Sequence, residues 1–149
     1  MFAKLVYSLA AIAIGAGFAV QTSINAGLAR GIGSPLLAAL TSFGVGCLAL
    51  FVLSFATGQF QSVSTVRGVP LHLWVSGGLL GAGIVFGSLF LVPRIGVAAL
   101  AAFIIAGQLA AAALIDHFGI LGVPVHEIGL LRVLGILMLF GGALLVRLT

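Results

Sequence analysis

Charge is what this chain has least of. Of 149 residues, six are Lys or Arg and two are Asp or Glu, so charged side chains make up 5%. Soluble domains carry about a quarter, and so few charges exclude a water-soluble globule. Cysteine occurs once, at Cys47, which leaves no disulfide within the chain and no metal-binding spacing. The histidines, His72, His117 and His126, are dispersed and make no ligand set. There is no intramembrane nucleophile–base pair and no phosphate loop, so an enzyme is a poor reading and no cofactor or metal is expected. The sequence pI of 10.8 invites a nucleic-acid partner. Six scattered cations at segment ends form no basic patch, however, and no such partner is expected.

Apolar residues fill the chain instead, at 62%. They sort into five stretches, roughly 5–29, 34–56, 71–92, 96–115 and 127–146. About 20 apolar residues span a hydrocarbon core of about 30 Å. The expected fold is therefore all-α and integral to the lipid bilayer: one domain over 1–149 with five transmembrane helices. Lys4 before an apolar run and the small residues Ala26-Gly27-Leu28-Ala29 superficially suggest a secretory signal. The run of about 20 residues exceeds the 7–15 of a signal core, so the segment reads as a first span.

The breaks have identifiable chemistry. Gly31-Ile32-Gly33 reads as a permissive turn, followed by Ser34 as a helix N-cap and Pro35 at the first helical position. Pro93 disfavours helical geometry at Val92 and is expected to end the third span there. Trp74 opens that span at interfacial depth. The connection 116–126 is itself apolar in its middle, which suits a segment lying in the interface or folding back on the helices. Small-x-x-x-small patterns at Ser42/Gly46, Gly77/Gly81 and Gly83/Gly87 predict close helix packing.

With five crossings, Lys4, Arg67 and Arg132 fall at one surface and Arg30, Arg94 and Arg147 at the other. The positive-inside rule then returns no preferred orientation. A chain that inserts either way up can pair with itself in inverted orientation, or with a homologous five-helix chain of opposite bias. Such inverted halves are how many transporters build a binding site at mid-depth.

No Asp, Glu, Lys or Arg lies in the middle of a span. The deep polar groups are Gln21, Asn25, Ser42 and Gln108. Helical rise places Gln21 and Ser42 roughly 12 Å, and Gln108 roughly 18 Å, inside the same surface. These are the candidate substrate-binding residues. Interhelical hydrogen bonding competes with that role, above all for Ser42, which can bond back to its own helix. Glu127 reads as a helix N-terminal acid favoured by the dipole. Asp116 at a helix C-terminus needs compensation, from His117, from Arg132, or from an arginine of an inverted partner. Asp116 and His117 together are a candidate proton-relay or ion-pair site.

Several of these motifs resemble those of the YdcZ-like family of small bacterial inner-membrane proteins, in the drug/metabolite transporter superfamily. They include Asn25, Gly33-Ser34-Pro35-Leu36-Leu37-Ala38-Ala39, Ser42-Phe43 and Pro93-Arg94-Ile95-Gly96-Val97-Ala98. Gly107-Gln108-Leu109, Ile115-Asp116-His117-Phe118-Gly119, Gly77-Gly78-x-x-Gly81-Ala82 and Arg132-x-x-Gly135 continue the match. The resemblance implies five transmembrane helices forming half of a ten-helix inverted-repeat transporter, located in the inner (plasma) membrane. It also implies halves that occur as dual-topology homodimers, as paired genes or fused. The superfamily's small multidrug exporters use a glutamate in their first helix, and the first span here offers Gln21 and Asn25 without a carboxylate. The expected function is transport of a small solute by an antiparallel homodimer through alternating access. A non-transporting membrane subunit or chaperone, and a polar-lined channel, are the rival readings.

Overall fold

The computed structural model describes residues 2–59 and 69–148, with side chains from Val6 onward. Its elements are α1 (Phe2–Ile32), α2 (Pro35–Ala56), α3 (Leu71–Ile95), α4 (Val97–Phe118), a 3-10 turn (Ile120–Gly122) and α5 (Leu130–Leu148). All five α-helices are long and apolar enough to cross a membrane. Every regular element among the described residues is helical. The side chain of Lys4 and the whole of Arg67, both used in the cation count above, lie outside the described residues. Arg30, Arg94 and Arg147 stand in the last turns of α1, α3 and α5, where a cation suits the helix dipole.

Local chemistry explains the helix ends. Ser34 caps α2 in extended geometry, its hydroxyl accepting from the Leu37 N–H at 3.2 Å, with Pro35 at the start of the helix. The turn before it is confined to Gly33 at φ 76°, because α1 continues through Gly31 and Ile32. The third helix also outruns the proline expectation. Pro93 lies inside α3, which ends only at Ile95. Membrane helices accommodate an internal proline, and here it removes one bond within the final turns. The actual break is Gly96, at φ 79° and ψ 163°, a combination essentially restricted to glycine.

Glu127 is corrected in the same way. The last helix begins at Leu130, so Glu127 stands outside it and its first turn holds no acid. Gly129 caps this helix, its carbonyl accepting from Arg132 and Val133 N–H at 3.0 and 3.2 Å.

The chain divides into two compact units, Met1–Pro93 and Arg94–Thr149. In the first, α1 buries Thr22, Asn25, Ala26 and Ala29, a stripe at i, i+3, i+4 and i+7. Against it α2 sets the buried Ala38 and Ala39, small enough for close approach beyond the tight Gly33-Ser34 turn. The third helix buries Ser88, Leu89 and Val92. A Cβ at Gly81 would meet the Phe43 ring at 3.6 Å. Of the glycines in the small-x-x-x-small patterns, Gly46, Gly77, Gly83 and Gly87 have open space there instead.

In the second unit, α4 packs on α5; α4 buries Ala99, Ala106 and Ala113, a seven-residue repeat 3%, 0% and 3% exposed, and α5 buries Ala143. The 119–129 connection folds back onto the end of α4. Gly119 takes the left-handed conformation and its N–H caps the Ile115 carbonyl, while the His126 N–H donates to the Asp116 carbonyl at 2.8 Å. Elsewhere the helices remain apolar and uncovered: at most 22% of any span's apolar window is buried within the chain. Lipid or another polypeptide must cover the rest.

Candidate functional site

The α1–α2 seam carries the polar centre of the first unit. Asn25 is 6% exposed, and its Nδ2 donates to Ser42 Oγ at 3.1 Å. Such a bond tethers two helices, and measured values for comparable pairs in membranes average about 0.6 kcal/mol. Two neighbouring hydroxyls satisfy themselves locally. Thr22 Oγ1 donates to the Phe18 carbonyl at 2.8 Å and Ser88 Oγ to the Ile84 carbonyl at 2.7 Å. Gln21 differs: it is exposed and makes no hydrogen bond with the described residues.

Beside this seam opens a cavity of about 690 Å³. Its polar lining comes from Gln21, Ser42, Ser54 and Gln59, and its apolar lining mainly from Phe43, Leu50, Phe51 and Val85. Gly46 and Cys47 complete the α2 wall. The α2 contribution is one helix face, since residues 42, 46, 50 and 54 are four apart and 43, 47 and 51 form the adjacent row. Gly46 therefore widens the cavity rather than seating a neighbouring helix. From Ser42 to Ser54 the wall rises roughly 18 Å. A second, water-sized cavity of about 10 Å³ lies between α1 and α3, bordered by Gln21, Thr22, Asn25 and Ser88. Gln21 borders both spaces.

Of the residues predicted to line a site, Gln21 and Ser42 thus share one cavity, with Asn25 bonded to Ser42 behind it. Gln108 belongs to the second unit. It is exposed on α4, two residues beyond the buried Ala106, and so turned about 200° from that buried position. The cavity residues Cys47, Ser54 and Gln59 were not anticipated. Ser54 continues the four-residue spacing from Ser42 and Cys47 follows Phe43 by four, a signal obscured because α2 is apolar all round; Gln59 lies beyond that helix and carried no such signal.

The acid of the second unit has a defined partner. Arg132 donates to Asp116 Oδ2 at 2.8 Å, with side chains 43% and 28% exposed. His117 Nδ1 accepts from the Ile128 N–H at 3.3 Å, so this nitrogen carries no proton in that bond. The His117 ring also meets Phe118 edge to face at 4.8 Å. Together these contacts pin the returning connection to the end of α4. Among the described residues no group of three or more His, Cys, Asp or Glu is placed to hold a metal ion.

No curated protein and no solved structure matches the chain. The family model described as "Putative inner membrane exporter, YdcZ" matches residues 6–145, which takes in the first four spans and most of the fifth. On that match the chain belongs to the YdcZ family of inner-membrane transporters, and is a multi-pass protein of the inner membrane.

Proposed function

We propose that the protein carries a small polar or amphipathic solute by alternating access, as an antiparallel homodimer in which two five-helix copies form a ten-helix inverted repeat. One observation carries the reading. A primary amide with no hydrogen bond to the described residues, Gln21, lines an open cavity of about 690 Å³ between helices long enough to cross the membrane. An amide in hydrocarbon without partners is costly, whereas one that meets water and solute in turn is not. In this reading Gln21, Asn25, Ser42 and Gln108 of each copy supply hydrogen bonds to the solute. Self-pairing is supported by the even division of cations and by the uncovered apolar faces of all five helices. Asp116 and His117 serve the fold in this scheme, one paired with Arg132 and the other holding the Ile128 N–H.

The test starts from a solute that raises the melting temperature of the purified protein, since a ligand that binds only the folded state stabilises it. Gln21→Leu and Gln108→Leu should each abolish that shift and the corresponding uptake into proteoliposomes, with the dimer intact by crosslinking. Unchanged binding in both variants rejects the assignment.

A further inference from the structure

The lining of the large cavity restricts the solute's charge. Among the described residues that line it, none is ionisable near neutrality: the polar contributions are two carboxamides and two hydroxyls, and the remainder is aliphatic or aromatic apart from Gly46 and Cys47. An ion entering this space would leave water without an opposite charge to meet it, a large penalty at membrane depth. A neutral hydrogen-bonding head loses far less, because the Gln21 amide offers both donors and an acceptor. The apolar lining is also specific in kind. Phe43 and Phe51 are one α-helical turn and a second apart on the same row, with Leu50 beside them. That surface suits a flat apolar body. The volume of about 690 Å³ falls within the range typical of small-molecule pockets. An acyl chain of the bilayer would match the aromatic wall but would leave the Gln21 amide unsatisfied.

We infer that the solute is uncharged and amphipathic, with an apolar body against Phe43, Leu50 and Phe51 and a hydrogen-bonding head at Gln21. This rests on the carrier reading above. It involves no step in which a carboxylate among the described lining residues exchanges a proton for a cation.

Cys47 supplies the readout, being the sole cysteine and part of the cavity wall. The full-length protein in lipid nanodiscs is alkylated with N-ethylmaleimide in the presence of one of three probes with a common body: 4-(pyren-1-yl)butanamide, the corresponding butylamine or the corresponding butanoate. Probe concentrations are matched after partitioning into the lipid. The amide should slow alkylation at least fivefold, and the two ions less than twofold. The amine arm is the stricter one, because two phenyl faces attract cations. Gln21→Leu should raise the amide concentration needed for protection roughly tenfold, as expected for loss of a hydrogen-bonding partner. Gln21→Glu, which keeps the shape and adds a charge, should transfer the preference to the amine. Equal or better protection by the amine or butanoate in the unmodified protein overturns the charge class and leaves a carrier cavity standing. Alkylation at one rate with every probe also overturns the inference. If Cys47 reacts only after denaturation, lipid or a second copy's helix fills the space, and the carrier reading falls with the inference.

Discussion

Replacing Gly119 tests the joint that returns the chain from α4 to α5. Gly119 sits at φ 61° and ψ 29°, and a Cβ built there would lie 2.7 Å from Val125 Cγ2 and 3.5 Å from the Val123 carbonyl oxygen. Two costs follow for Gly119→Ala. The left-handed conformation with a side chain costs about 1–2 kcal/mol. The Val125 contact is well inside the carbon–carbon optimum, and relieving it by turning Val125 off its rotamer adds about 0.5–1.5 kcal/mol. The sum is about 1.5–3.5 kcal/mol. Val125→Ala removes the offending Cγ2, so the double variant should recover only the steric part and stay about 1–2 kcal/mol below the unmodified protein. Gly119→Asn isolates the other part, because asparagine tolerates the left-handed region but brings the same Cβ. Reversible unfolding in mixed micelles, followed by helical circular dichroism, measures all four proteins. A Gly119→Ala variant as stable as the parent refutes the geometry of the joint. A double variant no better than the single refutes the steric component.

Other perturbations separate structure from transport. Ser42→Ala removes the acceptor of the Asn25 amide and should destabilise by about 0.6–1.7 kcal/mol in the same unfolding assay. Thr41→Ala, whose hydroxyl donates only to the Leu37 carbonyl of its own helix, should be near neutral and serves as the control. Asp116→Asn and Arg132→Gln each lose about 0.2–1 kcal/mol of an exposed ion pair. Each also relieves a charge at the unfavourable end of its helix by about 0.3–1 kcal/mol, Asp116 in the last turn of α4 and Arg132 in the first turn of α5, so both should be close to neutral. Destabilisation by much more than about 1 kcal/mol in either variant contradicts this account. A reporter fused to one terminus should give signal from both sides of the membrane in cells lacking related genes, and signal from one side alone rejects inverted self-pairing.

Local signals in the amino-acid order carried most of the architecture. Five apolar runs of membrane-spanning length are five helices, and Ser34-Pro35 caps α2 because capping depends on residues within one turn. Where a boundary depends on competition between neighbours, inference from residue type was less accurate. Pro93 yields to Gly96 as the break after α3, and Glu127 yields to Gly129 as the start of the turn into α5. The cavity wall was hidden for a different reason. In water a helix advertises its buried face by polarity, but in lipid both faces of α2 are apolar, so only Ser42 and Ser54 hinted at the row that includes Gly46 and Leu50 and at the neighbouring row with Cys47. Glycine patterns suffered the same ambiguity, and Gly46 borders empty space although its spacing suggests helix contact.

Position 96 has an implication for how this sequence can vary. It is exposed, and a Cβ there would touch nothing within 4 Å, so crowding alone would admit any amino acid. Its torsion angles admit almost none. A saturation library scored for folded protein should therefore find one of its least forgiving sites amid vacant surroundings, where a tolerance map drawn from burial would mark the codon as free to drift.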